Sequence, residues 1–382
     1  MNLRNAMWSV LLTVTISAGA QAGDLSLKDG SHWVALASSK DLNQAIGIAR
    51  LYSSQNVRVV ASQNGWYGVV LGPVHAASLE AFRKAYQGWP ELPADALFSR
   101  GDKYTGTLWH PPAAPPVIEF SAATPAEASD DGLTVTASLN KSDNGQIVHI
   151  EGRAGSTALF GFDTPEDFYA DFGTTLQLVP LDPASPMPEA LFAQSTGGAH
   201  CCAATWIVSE ARPGAWQLTA AGLLDGSGFW LEDIDGDGSF ELMSVDNAFL
   251  YAFDSYVASF APIRIENLRS GKVGEAAHDT AWTGRVAQDL GAMEFNAKLN
   301  PAIWKSNGYL AAWVATKIEL GQGDEAWAKM LKNYDRASNF GPQTCITGQD
   351  IDNCPADKMR TVPFPKALAE FLKTNGYVPV PQ

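Results

Sequence analysis

The chain has 382 residues, with 26 Lys+Arg against 41 Asp+Glu and a formal net charge of −15. A hydrophobic fraction of 46% and an aromatic fraction of 10% exclude a disordered chain, because such a composition can bury enough apolar surface to offset chain entropy. The acidic balance excludes nucleic acid as a partner, since a phosphate backbone needs a basic face.

Residues 1–22, MNLRNAMWSVLLTVTISAGAQA, place Arg4 before an apolar run from Met7 to Ile16 and end on Ala20-Gln21-Ala22. This three-part order predicts a secretory signal peptide cleaved between Ala22 and Gly23. The run is shorter than the roughly 20 residues of a spanning helix, and no later stretch is long and apolar enough to be one. The mature chain is therefore expected to be periplasmic or secreted. In an oxidising compartment the four cysteines are expected to form disulfides. Cys345 and Cys354 close the short loop TCITGQDIDNC and are the favoured pair, whereas Cys201 and Cys202 are neighbours whose mutual bond is sterically demanding. Three pairings stay open on sequence alone.

Residues 28–108 read as an N-terminal module. Ser31–Ala37 has strand character, and Ser38 or Ser39 is positioned to cap a helix through Tyr52, with Leu42, Ala45, Ile46 and Ala49 at helical spacing. Val57–Ser62 and Trp66–Leu71 flank Gln63-Asn64-Gly65, whose Asn-Gly pair supplies the positive φ of a tight hairpin. Leu79, Phe82 and Tyr86 mark a second helix, and Ala96–Ser99 returns as a fourth strand. One sheet with two helices on one face buries these stripes.

The opening strand SHWVALASS, the helix around Ala45–Leu51 and the strand NGWYGVVLGP at 64–73 resemble the sporulation-related repeat (SPOR) family of peptidoglycan-binding modules. The resemblance covers about a fifth of the chain. It implies a ferredoxin-like βαββαβ fold and affinity for peptidoglycan glycan strands through the open sheet face. Period-2 alternation puts Val34, Leu36, Tyr67, Val69 and Leu71 toward the helices, and Trp33, Ala35, Ala37, Trp66, Gly68 and Val70 on the open face. Trp33 and Trp66 are thus the candidate sugar-stacking residues, unless a second domain covers that face.

Residues 109–132, rich in Pro and Ala, read as an extended linker, with Val117–Phe120 a candidate edge strand. Residues 133–382 form the second domain. Leu133–Leu139, Gln146–Glu151, Ser156–Phe162, Thr174–Val179, Ala204–Val208, Trp216–Leu218 and Phe229–Leu231 are short strands between Gly- and Asp-rich turns, which predicts a propeller-like or sandwich-like β architecture. C-terminal helices follow. Leu310, Trp313, Val314, Lys317 and Ile318 share one face, Asp324 opens a helix bearing Trp327, Met330, Leu331 and Tyr334, and Pro365–Lys373 forms the last. The expected class is α+β, with a β-rich second domain.

The sharpest chemistry lies in Glu232–Leu242, EDIDGDGSFEL. Asp233, Asp235 and Asp237 converge when the loop wraps a cation, Gly238 permits the reversal, and Glu241 closes the shell. Hard oxygen donors in a flexible loop suit Ca2+, in a structural role. The flanks are strand-like, and the twelfth position is Ser244 where an EF-hand has Glu. The loop instead resembles the D-x-D-x-D-G calcium loops of FG-GAP-type repeats. The run Gly197–Cys202 offers His200 beside Cys201 as a base and thiol, but adjacent residues of an extended chain face opposite ways, so a disulfide-bearing turn is favoured.

These features predict an exported, non-enzymatic, cell-wall-associated binding protein. Two alternatives are a cell-wall hydrolase drawing its acid and base from Glu232, Asp233, Asp246 and Asp254, and an exported inhibitor or assembly factor binding an envelope protein.

Overall fold

The computed structural model describes residues 25–378 except 29, 51, 53–55, 87–91, 167, 169–172, 199 and 227. The signal-peptide reading of 1–22 lies outside the described residues. The chain divides into two compact units, with the main boundary between His110 and Pro111.

The first unit runs β1 (His32–Ser39), α1 (Leu42–Arg50), β2 (Val57–Ser62), β3 (Tyr67–Val74), α2 (Leu79–Ala85), β4 (Leu97–Ser99) and β5 (Tyr104–Trp109). Its sheet has the order β4-β1-β3-β2-β5 with every neighbouring pair antiparallel. The β2–β3 hairpin turns at Asn64-Gly65 as expected: Gly65 has φ +77°, and the Asn64 side chain accepts from Trp66 N at 3.1 Å. Asp41, rather than Ser38 or Ser39, opens α1, its carboxylate accepting from Gln44 N at 2.9 Å.

Alternation divides the sheet's residues into two buried sets. Val34, Leu36, Val57, Val59, Val69 and Leu71 are buried on one set of positions. Trp33, Val60 and Val70 form a cluster on the other, packed with Leu25, Leu27, Ala35 and Tyr104. The chain just before β1 and the added strand β5 thus cover part of the face that the alternation leaves without helices.

The second unit begins with β6 (Ile118–Phe120) and β7 (Ala126–Asp130), both inside the segment expected as a linker. The longest stretch there without regular structure is 110–117, and beyond it Ile118, Phe120 and Ala126 join a core. Then come β8 (Leu133–Lys141), β9 (Gln146–Ala154), β10 (Thr157–Asp163), β11 (Thr174–Val179), β12 (Glu189–Ser195), β13 (Cys201–Arg212), β14 (Ala215–Asp225), β15 (Trp230–Glu232), β16 (Glu241–Val245), β17 (Ile263–Arg269) and β18 (Lys272–Glu275). These strands make three successive up-and-down meanders, β7 to β10, β11 to β14 and β15 to β18, with β6 added beside β11.

The meanders stack. Leu133, Val135, Val148 and Ile150 of the first pack with Leu176, Phe192, Trp206 and Val208 of the second. The opposite face of the second, through Leu191 and Ile207, packs on Phe240, Leu242 and Leu268 of the third. A middle sheet buried on both faces explains why 203–208 (AATWIV) is apolar without alternation. The third meander's far face, with Met243, Ile263 and Ile265, receives Trp282 and Val286 of α3 (Thr280–Leu299). A helical core follows, in which α4 (Asn307–Glu319) supplies Tyr309, Leu310, Trp313 and Val314, α5 (Gly323–Asn333) supplies Trp327 and Met330, and α6 (Phe364–Thr374) supplies Leu368 and Leu372. The protein is therefore α+β and predominantly β, with C-terminal helices. No described helix is long and apolar enough to cross a membrane.

Candidate functional site

In the first unit a groove of about 370 Å³ opens on the sheet face that carries Ala35, Ala37 and Gly68. Small side chains at these positions leave room above the strands. Trp66 and Tyr104 supply rings to its wall, and Ser38, Ser62, Asn64 and Asp95 supply polar atoms. Trp66 is 37% exposed, and Lys40 Nζ stands 5.4 Å from its ring centroid. Trp33 does not share this position. It is 2% exposed, and its indole N–H donates to Leu25 O at 2.8 Å. Its ring is a core element of the first unit with no face free to stack on a sugar, which corrects the pairing of Trp33 with Trp66. The cover comes from Leu25, Leu27 and Tyr104 of the same unit.

In the second unit the β15–β16 connection brings Asp233, Asp235 and Asp237 together, each offering an oxygen within 4.8 Å of the others. The loop wraps by side chain-to-backbone bonds. Asp233 accepts from Gly236 N and from Gly238 N (3.2 Å), Asp235 from Asp237 N (3.0 Å), and Asp237 from Ser239 N (2.7 Å). Gly236 and Gly238 take φ of +71° and +95°, a region that side-chain-bearing residues rarely adopt. Glu241 lies buried at the start of β16, with one oxygen accepting from Ile234 N at 3.0 Å. Burial, reinforced by the neighbouring negative charges, pushes Asp233 up to about 6 and Glu241 up to about 7, against the N–H bonds that oppose it. Carboxylates forced together and partly dehydrated are costly as bare anions, and a hard divalent cation relieves that cost. The donor set fits Ca2+.

A related clasp occurs one meander earlier. Glu189, at the start of β12, accepts from Leu181 N (2.7 Å) and Asp182 N (3.3 Å), as Glu241 accepts from Ile234 N. Phe240 N donates to Pro180 O at 2.8 Å, so the two connections lie side by side. Counting back from each Glu, Leu181, Pro183 and Ser185 stand where the third meander has Asp233, Asp235 and Asp237. The two turns share a backbone device, and only one carries the acidic set.

The cysteines form two bonds, Cys345–Cys354 and the vicinal Cys201–Cys202. His200 turns from the sulfurs to Asp225, whose carboxylate is 3.1 Å from Nδ1, and to Tyr251, whose hydroxyl is 2.8 Å from Nε2. Asp225, Tyr251 and Tyr256 belong to no spacing pattern in the sequence. Their one signal in the sequence is the unusual run Gly197–Cys202 around His200. Of the carboxylates weighed for hydrolysis, Glu232 is held by Arg285 at 2.6 and 3.0 Å. Burial would raise its carboxyl, but Arg285 and the Trp230 N–H bring it below the ordinary range. Asp246 accepts from Tyr377 Oη (2.8 Å), and Asp254 accepts from Ser306 Oγ (3.1 Å). Each of these three is committed to a separate structural contact.

A family model described as the sll0997 C-terminal domain matches residues 286–376, the stretch from within α3 to just beyond α6. The chain is similar to "Uncharacterized protein y4bJ" of Sinorhizobium fredii, 37% identical over 377 residues, covering 97% of this chain and 60% of that protein. It is also similar to "Probable thylakoid lumen protein sll0997" of Synechocystis sp., 36% identical over 205 residues, covering 53% of this chain and 60% of that protein. No solved structure matches. The chain thus spans 60% of the length of each of these two relatives.

Proposed function

We propose that the protein is an exported binding protein. In this reading its first unit is a ferredoxin-like, SPOR-type module that docks on peptidoglycan glycan strands, and its β-rich second unit is braced by a structural Ca2+. The observation that carries the reading is the groove over Ala35, Ala37 and Gly68 with the half-exposed Trp66 at its wall. Aromatic faces suit the apolar side of a pyranose, and Ser38, Ser62, Asn64 and Asp95 offer hydroxyl partners around it. The strand order β4-β1-β3-β2, with helices after β1 and β3, is the order of a βαββαβ module and supports the family resemblance. Export is supported by the N-terminal sequence, by two paired cysteine sets and by the lumenal name of one relative. The ion would be held by Asp233, Asp235 and Asp237, with Glu241 behind them.

Retention on purified, peptide-stripped peptidoglycan tests the glycan reading. The mature protein should co-sediment with the sacculi, and Trp66→Ala should weaken the affinity by about two- to tenfold, the scale of one lost ring stack. Wild-type protein left wholly in the supernatant, or Trp66→Ala retained equally, would overturn it.

A further inference from the structure

The cluster around His200 has an order that packing alone does not require. His200 immediately precedes β13, Asp225 ends β14, and Cys201 is paired with Asp225 across these strands. Tyr251 and Tyr256 come from the connection between β16 and β17. The Asp225 side chain is 11% exposed and accepts from Tyr256 Oη (2.8 Å) and Gly226 N (2.7 Å). An ionised carboxylate only accepts, so His200 Nδ1 carries a proton and donates it to Asp225. That tautomer leaves a lone pair on Nε2, and the Tyr251 hydroxyl, 2.8 Å away, donates to it. The sequence of groups is carboxylate, imidazole, hydroxyl, each within reach of the next.

Other contacts hold the imidazole in place. Tyr256 stacks on it at 4.1 Å with an interplanar angle of 22°, and His200 O accepts from Gly226 N at 2.8 Å. Tyr251 is the more exposed of the two tyrosines beside the imidazole, its ring centroid 5.8 Å from that of His200 and 5.4 Å from that of Tyr256. It is 52% exposed and has φ +63°, a conformation that non-glycine residues rarely adopt and that concentrates at functional positions. Tyr256 already ties this connection to Asp225, so a purely structural network gains little from a second, exposed phenol on the far nitrogen.

We propose that Tyr251 is a nucleophile for acyl transfer, with His200 as its base and Asp225 as a positioning residue. The substrate class is a carboxylic ester presented on a polymer or surface, which an exposed hydroxyl can meet without enclosing it. Tyr251 Oη bonds to the ester carbonyl carbon while its proton passes to His200 Nε2. The bond from that carbon to the alcohol oxygen breaks as Nε2 passes its proton to that oxygen, so the alcohol leaves neutral. The acyl group then rests on Tyr251 as an aryl ester. Water, deprotonated by the same nitrogen, releases it as a carboxylic acid and restores the phenol.

The test treats the full mature protein with p-nitrophenyl acetate, reading p-nitrophenol release and the acetyl group on the peptide containing Tyr251. Tyr251 should react roughly 100-fold faster than the other tyrosines, the lower end of what a positioned base supplies. Its rate should level off at a lower pH than that of the other tyrosines, because proton removal by a positioned base replaces ionisation of the phenol in solvent. Tyr251→Phe and His200→Gln should abolish the fast reaction, and Asp225→Asn should slow it and alter the pH profile. Acetylation of Tyr251 no faster than that of other tyrosines, or a wild-type rate that levels off at no lower pH than theirs, would overturn the proposal whether or not any variant folds.

Discussion

Ca2+ should raise the melting temperature of the protein, and Asp235→Ala should remove that rise. Three carboxylates within 4.8 Å of one another, with Glu241 buried behind them, favour an ion in the folded loop, and the unfolded chain has no such assembly. Extracellular calcium modules commonly bind near 10⁻⁴ M, so about 10 mM Ca2+ stabilises by roughly RT ln 100, or about 2.7 kcal/mol. For a unit of this size 1 kcal/mol corresponds to about 2–4 °C, giving an expected shift of about 5–10 °C. The assay is calorimetry of the mature protein in excess chelator and in Ca2+ at one pH and ionic strength. Asp235 also accepts from Asp237 N, so its removal lowers the baseline; the quantity compared is the increment produced by Ca2+. Identical melting with chelator and with Ca2+, or an undiminished increment in Asp235→Ala, would refute the reasoning.

Glu189 is 1% exposed, and burial, with the Asp182 charge adding to it, pushes its carboxyl up to about 7 against the opposing N–H bonds. A raised carboxyl favours the neutral form in the fold, so its contribution is full below about pH 4.5 and declines as pH rises toward 7. Glu189→Gln should therefore match the wild type near pH 4.5 and exceed it by on the order of 3 kcal/mol at pH 8, measured by urea unfolding. A difference independent of pH would contradict this. Trp33→Ala should destabilise the first unit by about 3–5 kcal/mol, while Trp66→Ala should change its stability by less than about 1 kcal/mol. Equal losses would show that the two rings share one role. Non-reduced peptide mapping should link Cys345 to Cys354, and Cys345→Ser should cost about 2–3 kcal/mol for a loop of sequence separation 9. Full alkylation of both thiols without reductant would contradict the bond.

Local chemistry in the sequence located many of these elements. Asn64-Gly65 fixed the hairpin because its backbone preference is intrinsic to the pair, and the helical spacing of Leu310, Trp313, Val314 and Ile318 marked α4, although burial extends to its other faces. The helix α3 carried no such stripe. Gly284 and Gly291 interrupt it, and its buried residues divide between the third meander (Trp282, Val286) and the helical core (Leu290, Met293). Alternation correctly put Trp33 on the face away from Val34 and Leu36, but Leu25, Leu27 and Tyr104 reach that face from elsewhere in the chain. The acidic loop was legible because all its donors fall within nine residues. The His200 group was not, since Asp225 lies 25 positions away, across the β13–β14 pairing, and Tyr251 lies 51 positions away in the third meander.

Sheets stacked face to face have no natural stopping point, because each apolar face can accept another of its kind. Here both ends of the pile are closed. On the outer side of the first meander, Thr134 is opposite Arg153, Thr136 opposite Glu151 and Ser138 opposite His149, a polar surface that offers no further sheet a dry contact. At the other end Trp282 and Val286 occupy the face of the third meander where another sheet would lie. Replacing the polar pairs of the first meander with apolar side chains would offer a face on which a further sheet could lie, so these plain surface pairs limit the stack of the second unit to three sheets.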